Sequence, residues 1–225
     1  MMINYEVFAL RTVSQPYINY SYIVFDKGSH AAILIDPSWE LDTILAKLND
    51  LNADVRGIML THSHYDHINL TSVLTEIYEC GVFMSSVEIE EYGFNCPNLI
   101  GLSDEETIQF EETIVTCMLT PGHTSGSMCF LLEDCMFTGD TLFIEGCGGC
   151  NFKGGSAEAM FDSIQKIKSF AAPEMRVFPG HSYGTPPGQT IRKLYDQNIY
   201  FQLDSLKHFV DFRMRPNQEG IFNFR

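Results

Sequence analysis

Three histidines and an aspartate lie within a six-residue stretch of this chain, at His62, His64, Asp66 and His67. The residues before the stretch, 56–60, read as a short buried strand, and the apolar spacing of residues 69–79 predicts a helix. Loops between a strand end and a helix start are where α/β proteins place much of their chemistry. The stretch therefore favours an α/β fold whose functional site lies at this loop.

The spacing within the stretch predicts metal binding. Side chains two positions apart in an extended segment point the same way, so His62 and His64 can bind one cation. Asp66 and His67 lie beyond the bend and point toward a second cation. Neutral imidazole and carboxylate groups suit zinc, and also iron or manganese. A polar surface loop with chance histidines is disfavoured, because the whole chain has only seven histidines.

Further ligand-type side chains follow short predicted strands, each beside a glycine: His123, Asp140 and His181. Glycine lets the backbone turn sharply and approach a ligand closely. Each strand-end loop would therefore deliver one side chain to the same edge of a sheet. The set predicts two metal ions with Asp140 bridging them, the first bound by His62, His64 and His123 and the second by Asp66, His67 and His181.

The remaining apolar patterns alternate between strands and helices. Strands are predicted at 6–10, 20–25, 31–35, 81–86, 113–119, 128–132, 135–138 and 176–178, and helices at 40–51 and from a cap at Ser156. Residues 87–105 read as an irregular, flexible flank, and 189–214 as a helical segment. Such alternation predicts sheets with helices outside them. We expect a single domain over residues 1–225, which includes the C-terminal helical segment.

Charge limits the classes of partner. The net charge is −15, divided into −18 over residues 1–150 and +3 over residues 151–225, which argues against nucleic acid as a partner. The acidic part can be a solvated face. Alternatively, it repels other molecules while the C-terminal part meets an anionic substrate or partner.

The chain shows no sequence signal for membranes or export. No stretch approaches the roughly 18 apolar residues of a membrane span, and residues 1–6 lack the features of a secretory signal. The seven cysteines are therefore expected to be reduced and the protein cytoplasmic. Cys147 and Cys150 form a C-x-x-C pair, but a lone pair in a glycine-rich loop favours ordinary loop cysteines over a metal or redox pair.

The sequence resembles the metallo-β-lactamase-fold hydrolases over roughly residues 5–185. The motifs that carry the resemblance are Thr61–His67, Gly122-His123-Thr124, Gly139-Asp140 and Gly180-His181, in the order of the family. The resemblance implies an αββα sandwich with C-terminal helices and with two zinc ions, or iron or manganese, at one sheet edge. Within the family, residues 121–127, 139–143 and 146–148 resemble glyoxalase II enzymes, which cleave thioesters.

The resemblance also implies a mechanism. Two dications that share a water lower its pKa, so a bridging hydroxide is expected to attack the thioester carbonyl. Asp66 and His67 would be the catalytic residues, with Asp66 orienting the hydroxide as well as binding metal. A thiolate leaves readily because its pKa is about 8.5, which suits a site without a dedicated general acid.

The match to glyoxalase II is weaker at the residues that hold glutathione. That subgroup has a basic residue directly after Gly-Cys-Gly, but here Gly149 follows Gly148, and Lys153 lies four residues further on. Residues 216–225 also lack the basic pattern expected for glutathione. Tyr183 matches a family tyrosine that contacts substrate. The candidate substrate contacts are Tyr183, Lys153 and Phe152.

The chain closely resembles the zinc-dependent hydrolases of bacterial trans-acyltransferase polyketide pathways. This resemblance implies hydrolysis of acyl groups carried on the phosphopantetheine thiol of an acyl carrier protein, or on coenzyme A. Carrier proteins are acidic, so the C-terminal part is the expected docking side, with candidates Lys153, Arg192, Lys193, Lys207, Arg213 and Arg215. The alternatives are a hydroxyacylglutathione hydrolase (glyoxalase II) and a lactonase of the same fold.

Other functions of the fold fit less well. A β-lactamase needs export, an RNA-processing nuclease is disfavoured by the acidic charge, and a sulfur dioxygenase would use a single iron. A scaffold without catalysis is disfavoured because all seven ligand positions are filled. Asp36, which follows a predicted buried strand, either supports the metal loop from behind or is a plain turn aspartate.

Overall fold

Two six-stranded sheets form the centre of the protein, and the computed structural model describes residues 3–218 and 224–225. The first sheet runs in chain order: β1 (Tyr5–Ser14), β2 (Tyr17–Asp26), β3 (Ala31–Ile35), β4 (Asp54–Met59), β5 (Gly81–Ser85) and β6 (Leu99–Leu102). The second sheet has the order β12 to β7 and consists of β7 (Thr107–Phe110), β8 (Thr113–Leu119), β9 (Met128–Leu131), β10 (Cys135–Gly139), β11 (Arg176–Pro179) and β12 (Gln189–Thr190).

Helices connect the strands and follow the last sheet. In chain order they are α1 (Leu41–Asp50), α2 (Tyr65–Ile68), α3 (Thr71–Tyr78), α4 (Ser86–Tyr92), α5 (Ala157–Phe170), α6 (Ile191–Gln197), α7 (Ile199–Gln202) and α8 (Leu206–Arg213). The predicted cap is confirmed, because the Ser156 side chain accepts a hydrogen bond from Ala159 N at the start of α5. None of the helices in the described part of the chain is long and apolar enough to cross a bilayer.

Alternation of buried side chains along the central strands builds four layers. On β2, Tyr22 and Val24 face the second sheet, whereas Ile23 and Phe25 face α1 and α3. The other face of the second sheet packs on α5 and the C-terminal helices. Both faces of each sheet are therefore covered, which is why the strands read as continuous apolar runs. The predicted αββα sandwich is confirmed.

The strand directions collect several loops at one edge. The parallel strands β3 and β4 end there in the first sheet. In the second sheet, β9 is antiparallel to both β8 and β10, and β10 is parallel to β11, so β8, β10 and β11 also end at one edge. A hydrogen bond from Tyr20 N to Gly180 O (2.9 Å) joins the two sheets near these ends. All the predicted ligands lie in loops or helix starts beyond these strands.

One part of the sequence prediction was wrong. Residues 87–105, predicted as an irregular flank, instead contain most of α4 and the edge strand β6. Gly93 ends α4 in a left-handed conformation, and Gly101 lies within β6, so these glycines mark a helix end and a close approach to Ser86 rather than a flexible loop.

The C-terminal segment, predicted only as helical, has a more detailed structure. Residues 189 and 190 form the short strand β12, and three short helices follow it, because Asn198 and Ser205 cap new helix starts with their side chains. Residues 219–223, which belong to the segment 216–225 that lacks the basic pattern expected for glutathione, lie outside the described residues, as do Met1 and Met2.

Candidate metal centre

The first predicted trio meets where the loops after β4 and β8 converge. The ligand atoms of His62, His64 and His123 all lie within 4.8 Å of one another. His64 Nδ1 is 3.0 Å from His62 Nε2 and 2.9 Å from His123 Nε2. His62 and His64 thus turn toward a common point, as expected of side chains two positions apart in an extended segment.

The second predicted trio lies beside the first. Asp66 and His67 are placed by the short helix α2, and His181 follows β11. Asp66 Oδ2 lies 3.3 Å from His181 Nε2 and 3.7 Å from His67 Nε2. The ligand atoms of these three residues again lie within 4.8 Å of one another. The bend at α2 separates the two trios, as the sequence predicted.

Asp140 lies between the two trios. Its Oδ1 is 3.5 Å from His67 Nε2, and its Oδ2 is 3.4 Å from His123 Nε2 and 3.6 Å from His181 Nε2. Two buried atoms here, His67 Nε2 and Asp140 Oδ1, have no hydrogen-bond partner within the described residues. Buried polar atoms are rarely left unpaired, so a cation would satisfy both. The donor set of imidazoles and carboxylates fits zinc.

In three of the histidines, the Nδ1 atom contacts an oxygen outside the metal centre, which leaves Nε2 directed at the centre. His67 Nδ1 is 2.9 Å from Asp36 Oδ2, His123 Nδ1 is 2.7 Å from Gly149 O, and His181 Nδ1 is 2.7 Å from Ile18 O. Such partners fix the tautomer and orientation of a metal-binding imidazole.

Asp36 supports the metal loop, which decides between the two interpretations left open by the sequence. Its carboxylate also accepts hydrogen bonds from Thr61 N (2.8 Å) and Thr61 Oγ1 (2.6 Å). The loop that starts at Thr61 is therefore anchored to the end of β3 before it reaches the first histidine. Asp36 thereby orients His67 and fixes the start of the loop that carries His62.

Two supporting residues were missed by the sequence analysis. The first is Glu88 of α4, which is fully buried. Its Oε1 accepts hydrogen bonds from Ser63 N (2.8 Å) and from Ser63 Oγ (2.7 Å). Its Oε2 accepts hydrogen bonds from Thr124 Oγ1 (2.8 Å) and from Gly126 N (3.1 Å). It ties the loop of His64 to the loop of His123. The signal that could have revealed α4 is Ser85-x-x-Glu88, a pattern of helix starts.

The second missed residue is Asn19 on β2, which is buried. Its Nδ2 donates to Asp66 Oδ2 (3.1 Å), while its Oδ1 accepts from Trp39 Nε1 (2.8 Å). Because the indole can only donate, it fixes which side of the amide faces Asp66. Asn19 therefore orients Asp66, and no local sequence pattern announces this role.

The electrostatics of the two trios differ. Burial lowers the pKa of His123 to about 4 and that of His62 well below its ordinary value. Burial also lowers the pKa of His67, but the carboxylates of Asp66 and Asp140 outweigh it and raise this pKa to about 10. Burial raises the pKa of Asp66, but His67 and His181 outweigh it, so this carboxyl stays ionised.

A cavity of about 400 Å³ opens onto the metal centre. Its walls are mainly aromatic, and the residues that line it beyond the predicted ligands are Tyr17, Trp39, Tyr65, Phe143, Cys147, Gly148, Gly149, Phe152, Tyr183, Arg213 and Phe224. The Phe152 ring lies 5.8 Å from that of His64 and 5.7 Å from that of His123. Burial raises the pKa of Tyr183, so its hydroxyl remains protonated.

Lys153 and Arg213 occupy positions that the sequence did not predict. Lys153 lies outside this cavity, where its Nζ donates to Glu91 O (2.9 Å) and lines a neighbouring cleft of about 370 Å³. Arg213, a docking candidate, is only 5% exposed and forms part of the cavity wall, so it is not on a docking surface. Lysine and arginine are mostly exposed, and the sequence carries no sign of this burial.

The glycine-rich loop is built around the metal centre. A Cβ on Gly148 would lie 2.2 Å from Asp140 O and 2.8 Å from His123 Nδ1, so this position has no room for a side chain. Cys147 and Cys150 are buried free thiols, and burial raises the pKa of Cys150 to about 11. Neither belongs to a metal-binding group within the described residues, which agrees with ordinary loop cysteines.

Comparisons with known proteins agree with this geometry. The chain is 52% identical over 225 residues, all of both chains, to the probable polyketide biosynthesis zinc-dependent hydrolase PksB of Bacillus subtilis (strain 168). It is 36% identical to the hydroxyacylglutathione hydrolase of Pelagibacter ubique (strain HTCC1062) over 169 residues, which are 73% of this chain and 67% of that protein.

A solved structure and a family model extend the agreement to the fold. The crystal structure of ETHE1 from Myxococcus xanthus superimposes with a TM-score of 0.83 at 27% identity, over 94% of this chain and 92% of that one. The model of the metallo-beta-lactamase superfamily matches residues 15–181, which include strands β2 to β11 and every candidate ligand. The chain therefore belongs to the metallo-beta-lactamase superfamily.

Proposed function

We propose that this protein is a zinc-dependent thioester hydrolase that acts on acyl groups carried by a phosphopantetheine thiol in polyketide biosynthesis. The observation that carries the proposal is the position of Asp140. Its carboxylate lies within 3.6 Å of histidines from both trios, and one of its buried oxygens has no hydrogen-bond partner among the described residues. The similarity to a named polyketide zinc hydrolase over the whole chain supports the pathway.

Two zinc ions fit the residues present. His62, His64 and His123 would hold one ion, Asp66, His67 and His181 the other, and Asp140 would contact both. When bound, the ions would lower the pKa of a shared water so that it becomes a nucleophile at neutral pH, and they would polarise the thioester carbonyl.

The chain's own residues prepare the substrate and the nucleophilic water. Asp66 is ionised and oriented by Asn19, so its carboxylate can accept a hydrogen bond from the attacking water and hold it in line with the carbonyl. The aromatic walls, among them Phe143 and Phe152, bind the acyl chain and exclude bulk water. The protonated hydroxyl of Tyr183 can donate a hydrogen bond to the substrate.

The leaving group suits this set of residues. A thiolate has a pKa near 8.5 and leaves with little need for protonation. Burial holds the pKa of the Tyr183 hydroxyl above its ordinary value, which makes it a weak acid, and the carboxyl groups of the centre are surrounded by imidazoles. Thioesters are therefore better substrates for this site than amides, whose leaving amine must be protonated.

The carrier would dock on the exposed basic residues of the C-terminal part. Arg192 pairs with Glu174, and Lys207 with Asp211, yet all four side chains are exposed and the cations remain accessible. Charge reversal of Arg192 and Lys207 together should raise the KM for a carrier-linked substrate and leave the KM for the free pantetheine thioester unchanged. An equal KM for the carrier-linked substrate in the variant would refute docking at these residues.

The deciding experiment is a thiol-release assay of the zinc-loaded protein. The substrates are an acylated carrier protein, the matching acyl-coenzyme A, the acyl-N-acetylcysteamine and lactoylglutathione. Faster turnover of the carrier-linked or coenzyme A-linked acyl group is the expected result. Absence of thiol release from every substrate by protein of verified zinc content would refute the proposed activity.

Hydroxyacylglutathione hydrolase is the second candidate, because a relative of that name shares 36% identity with this chain. Gly149 stands where glyoxalase II enzymes carry a basic residue, and its carbonyl oxygen lies 2.7 Å from His123 Nδ1. Preference for lactoylglutathione in the same assay would favour this candidate and would require another cation to hold the carboxylates of glutathione.

A further inference from the structure

Arg213 is a buried cation in the wall of the cavity. It ends α8, is only 5% exposed, and lines the same space as His123, Asp140 and Tyr183. The guanidinium of arginine stays charged in proteins. A charged group this deeply buried is costly unless an opposite charge or a full set of hydrogen bonds compensates for it.

The neighbours of Arg213 compensate for its charge only in part. Its Nη1 donates to Tyr200 Oη (3.1 Å) and to Gln218 Oε1 (2.9 Å), which are neutral groups. Its buried Nε has no hydrogen-bond partner within residues 3–218 and 224–225, and no carboxylate in that part of the chain pairs with it. Arg215 Nη1 lies 3.4 Å from the same Tyr200 hydroxyl and adds positive charge.

The two thiols beside Arg213 do not supply the missing negative charge. Burial raises the pKa of Cys147 well above its ordinary value and that of Cys150 to about 11, so both are protonated at neutral pH. By contrast, Arg176 forms an ion pair with a carboxylate of the same chain, that of Asp134. In a protein with a net charge of −15, a buried arginine without a carboxylate partner among the described residues needs another explanation.

We propose that Arg213 binds an anionic oxygen group of the substrate, a carboxylate or a phosphate, inside the cavity. The inference rests on the proposed thioester hydrolysis and narrows its substrate class to thioesters that bear such a group. Because Arg213 lines the cavity, its guanidinium can form charge-assisted hydrogen bonds there, and guanidinium suits carboxylate and phosphate oxygens. The group could lie at the end of the acyl chain or on the phosphopantetheine arm.

Two pairs of unreactive probes separate these sources. The first pair is a thioether of N-acetylcysteamine whose chain ends in a carboxylate or in the matching carboxamide. The second pair is a thioether of phosphopantetheine and the same thioether of pantetheine. Calorimetric titration of the zinc-loaded protein should show that one anionic probe binds roughly 10- to 100-fold tighter than its neutral partner, as a charge-assisted hydrogen bond would give.

Variants assign the preference to Arg213. Arg213→Gln should abolish the difference between the two probes, and Arg213→Lys should keep part of it because the charge remains. Arg176→Gln, which removes a half-exposed arginine far from the cavity wall, should keep the whole difference. A preference that persists in Arg213→Gln would place the anion on the metal centre instead and overturn the inference.

A second measurement needs no variant. Phenylglyoxal modifies accessible arginines, and peptide mapping after a short exposure reports each site. The anionic probe that binds tighter should protect Arg213 and not Arg176, whereas its neutral partner should protect neither. The inference is overturned if the anionic and neutral probes bind equally in both pairs, or if no probe protects Arg213. This holds even if the variants fail to fold.

The outcomes separate this inference from the proposed activity. Protein that binds the anionic probe through Arg213 but releases no thiol from any thioester would keep the anion site and refute the hydrolase. Protein that hydrolyses thioesters while binding charged and neutral probes equally would keep the hydrolase and refute the anion site.

Discussion

The two trios of the metal centre differ in charge and in the way they are held. His62, His64 and His123 are three imidazoles whose pKa values are lowered, and Glu88 ties together the loops that carry them. The other trio contains a carboxylate, and His67 within it has a raised pKa. The first trio is thus neutral and ready for a cation, whereas the second must lose a proton before it can bind one.

The two trios also differ in the residues that hold their ligands in place. In the first trio, the buried carboxylate of Glu88 holds two ligand-bearing loops at once, through backbone and hydroxyl groups. In the second trio each ligand has its own partner, with Asp36 behind His67, Asn19 behind Asp66 and Ile18 O behind His181. Loss of Glu88 should therefore disturb two ligands of the first trio, whereas loss of Asn19 should disturb only one ligand of the second.

The largest effect is expected from removing one ligand of each trio. His64→Ala should lose the ion of the first trio and His181→Ala that of the second, as measured by the zinc content of purified protein. Thiol release should fall roughly 10³-fold in both, since metal ions contribute several kcal/mol of transition-state stabilisation. Full zinc content in both variants would contradict the assignment of these histidines as ligands.

The next largest effect concerns Glu88. Glu88→Ala leaves the Ser63 and Thr124 hydroxyls and two backbone N–H groups without their acceptor, so the free energy of unfolding should fall by about 3 kcal/mol. Denaturant titration of the metal-free protein measures it. Glu90→Ala on the exposed side of the same helix is the matched control and should change stability by less than about 0.5 kcal/mol. Equal stability of the two variants would remove Glu88 from its supporting role.

The contrast between Glu88 and the ligands shows what the sequence could predict. The candidate ligand histidines could be picked out from the sequence because their spacing and neighbouring glycines are local patterns. The sheets were predictable because buried strands such as β3 read as apolar runs. Glu88, in contrast, acts on Ser63 and Thr124, 25 and 36 positions away in sequence. Partnerships over such distances depend on the packing of α4, which no local pattern encodes.

The burial of Arg213 in the cavity wall is a second feature that the sequence could not predict. Arginines are mostly exposed, and Arg213 was therefore predicted to be one of the docking residues. Its burial results from α8 packing on α5 and Tyr200, a tertiary contact at the end of the chain. Of the three residues predicted as substrate contacts, Phe152 and Tyr183 line the cavity, whereas Lys153 lines the neighbouring cleft.

A smaller effect is expected at Asn19, which supports only one ligand. Asn19→Leu removes the hydrogen bond to Asp66 and should weaken binding of the second ion by about 10- to 100-fold, the usual cost of losing a partner of a metal ligand. Competition with a chromophoric chelator measures each affinity. Trp39→Phe leaves Asn19 in place but removes the indole N–H that orients its amide, so it should have a smaller effect than Asn19→Leu. Equal weakening of both ions would show that Asn19 supports the whole centre.

The smallest effect, and the most direct test of the comparison, is the proton released on binding. The pKa of His67 is about 10, because the neighbouring carboxylates outweigh its burial, so this imidazole is protonated at neutral pH. Metal binds only the neutral form, so the affinity of the second trio should rise about tenfold for each unit by which the pH increases toward 10. The first trio, whose pKa values are lowered, should bind independently of pH above about 7.

The ligand variants isolate the two trios for this measurement. His64→Ala retains the second trio and His181→Ala the first, and zinc titrations in buffers of different ionisation enthalpy count the protons released by each. About one proton should leave when the second trio binds at neutral pH, and none when the first does. Equal release from both would mean that Asp140 distributes its charge over all the histidines. The two halves would then act as one coupled set of ligands.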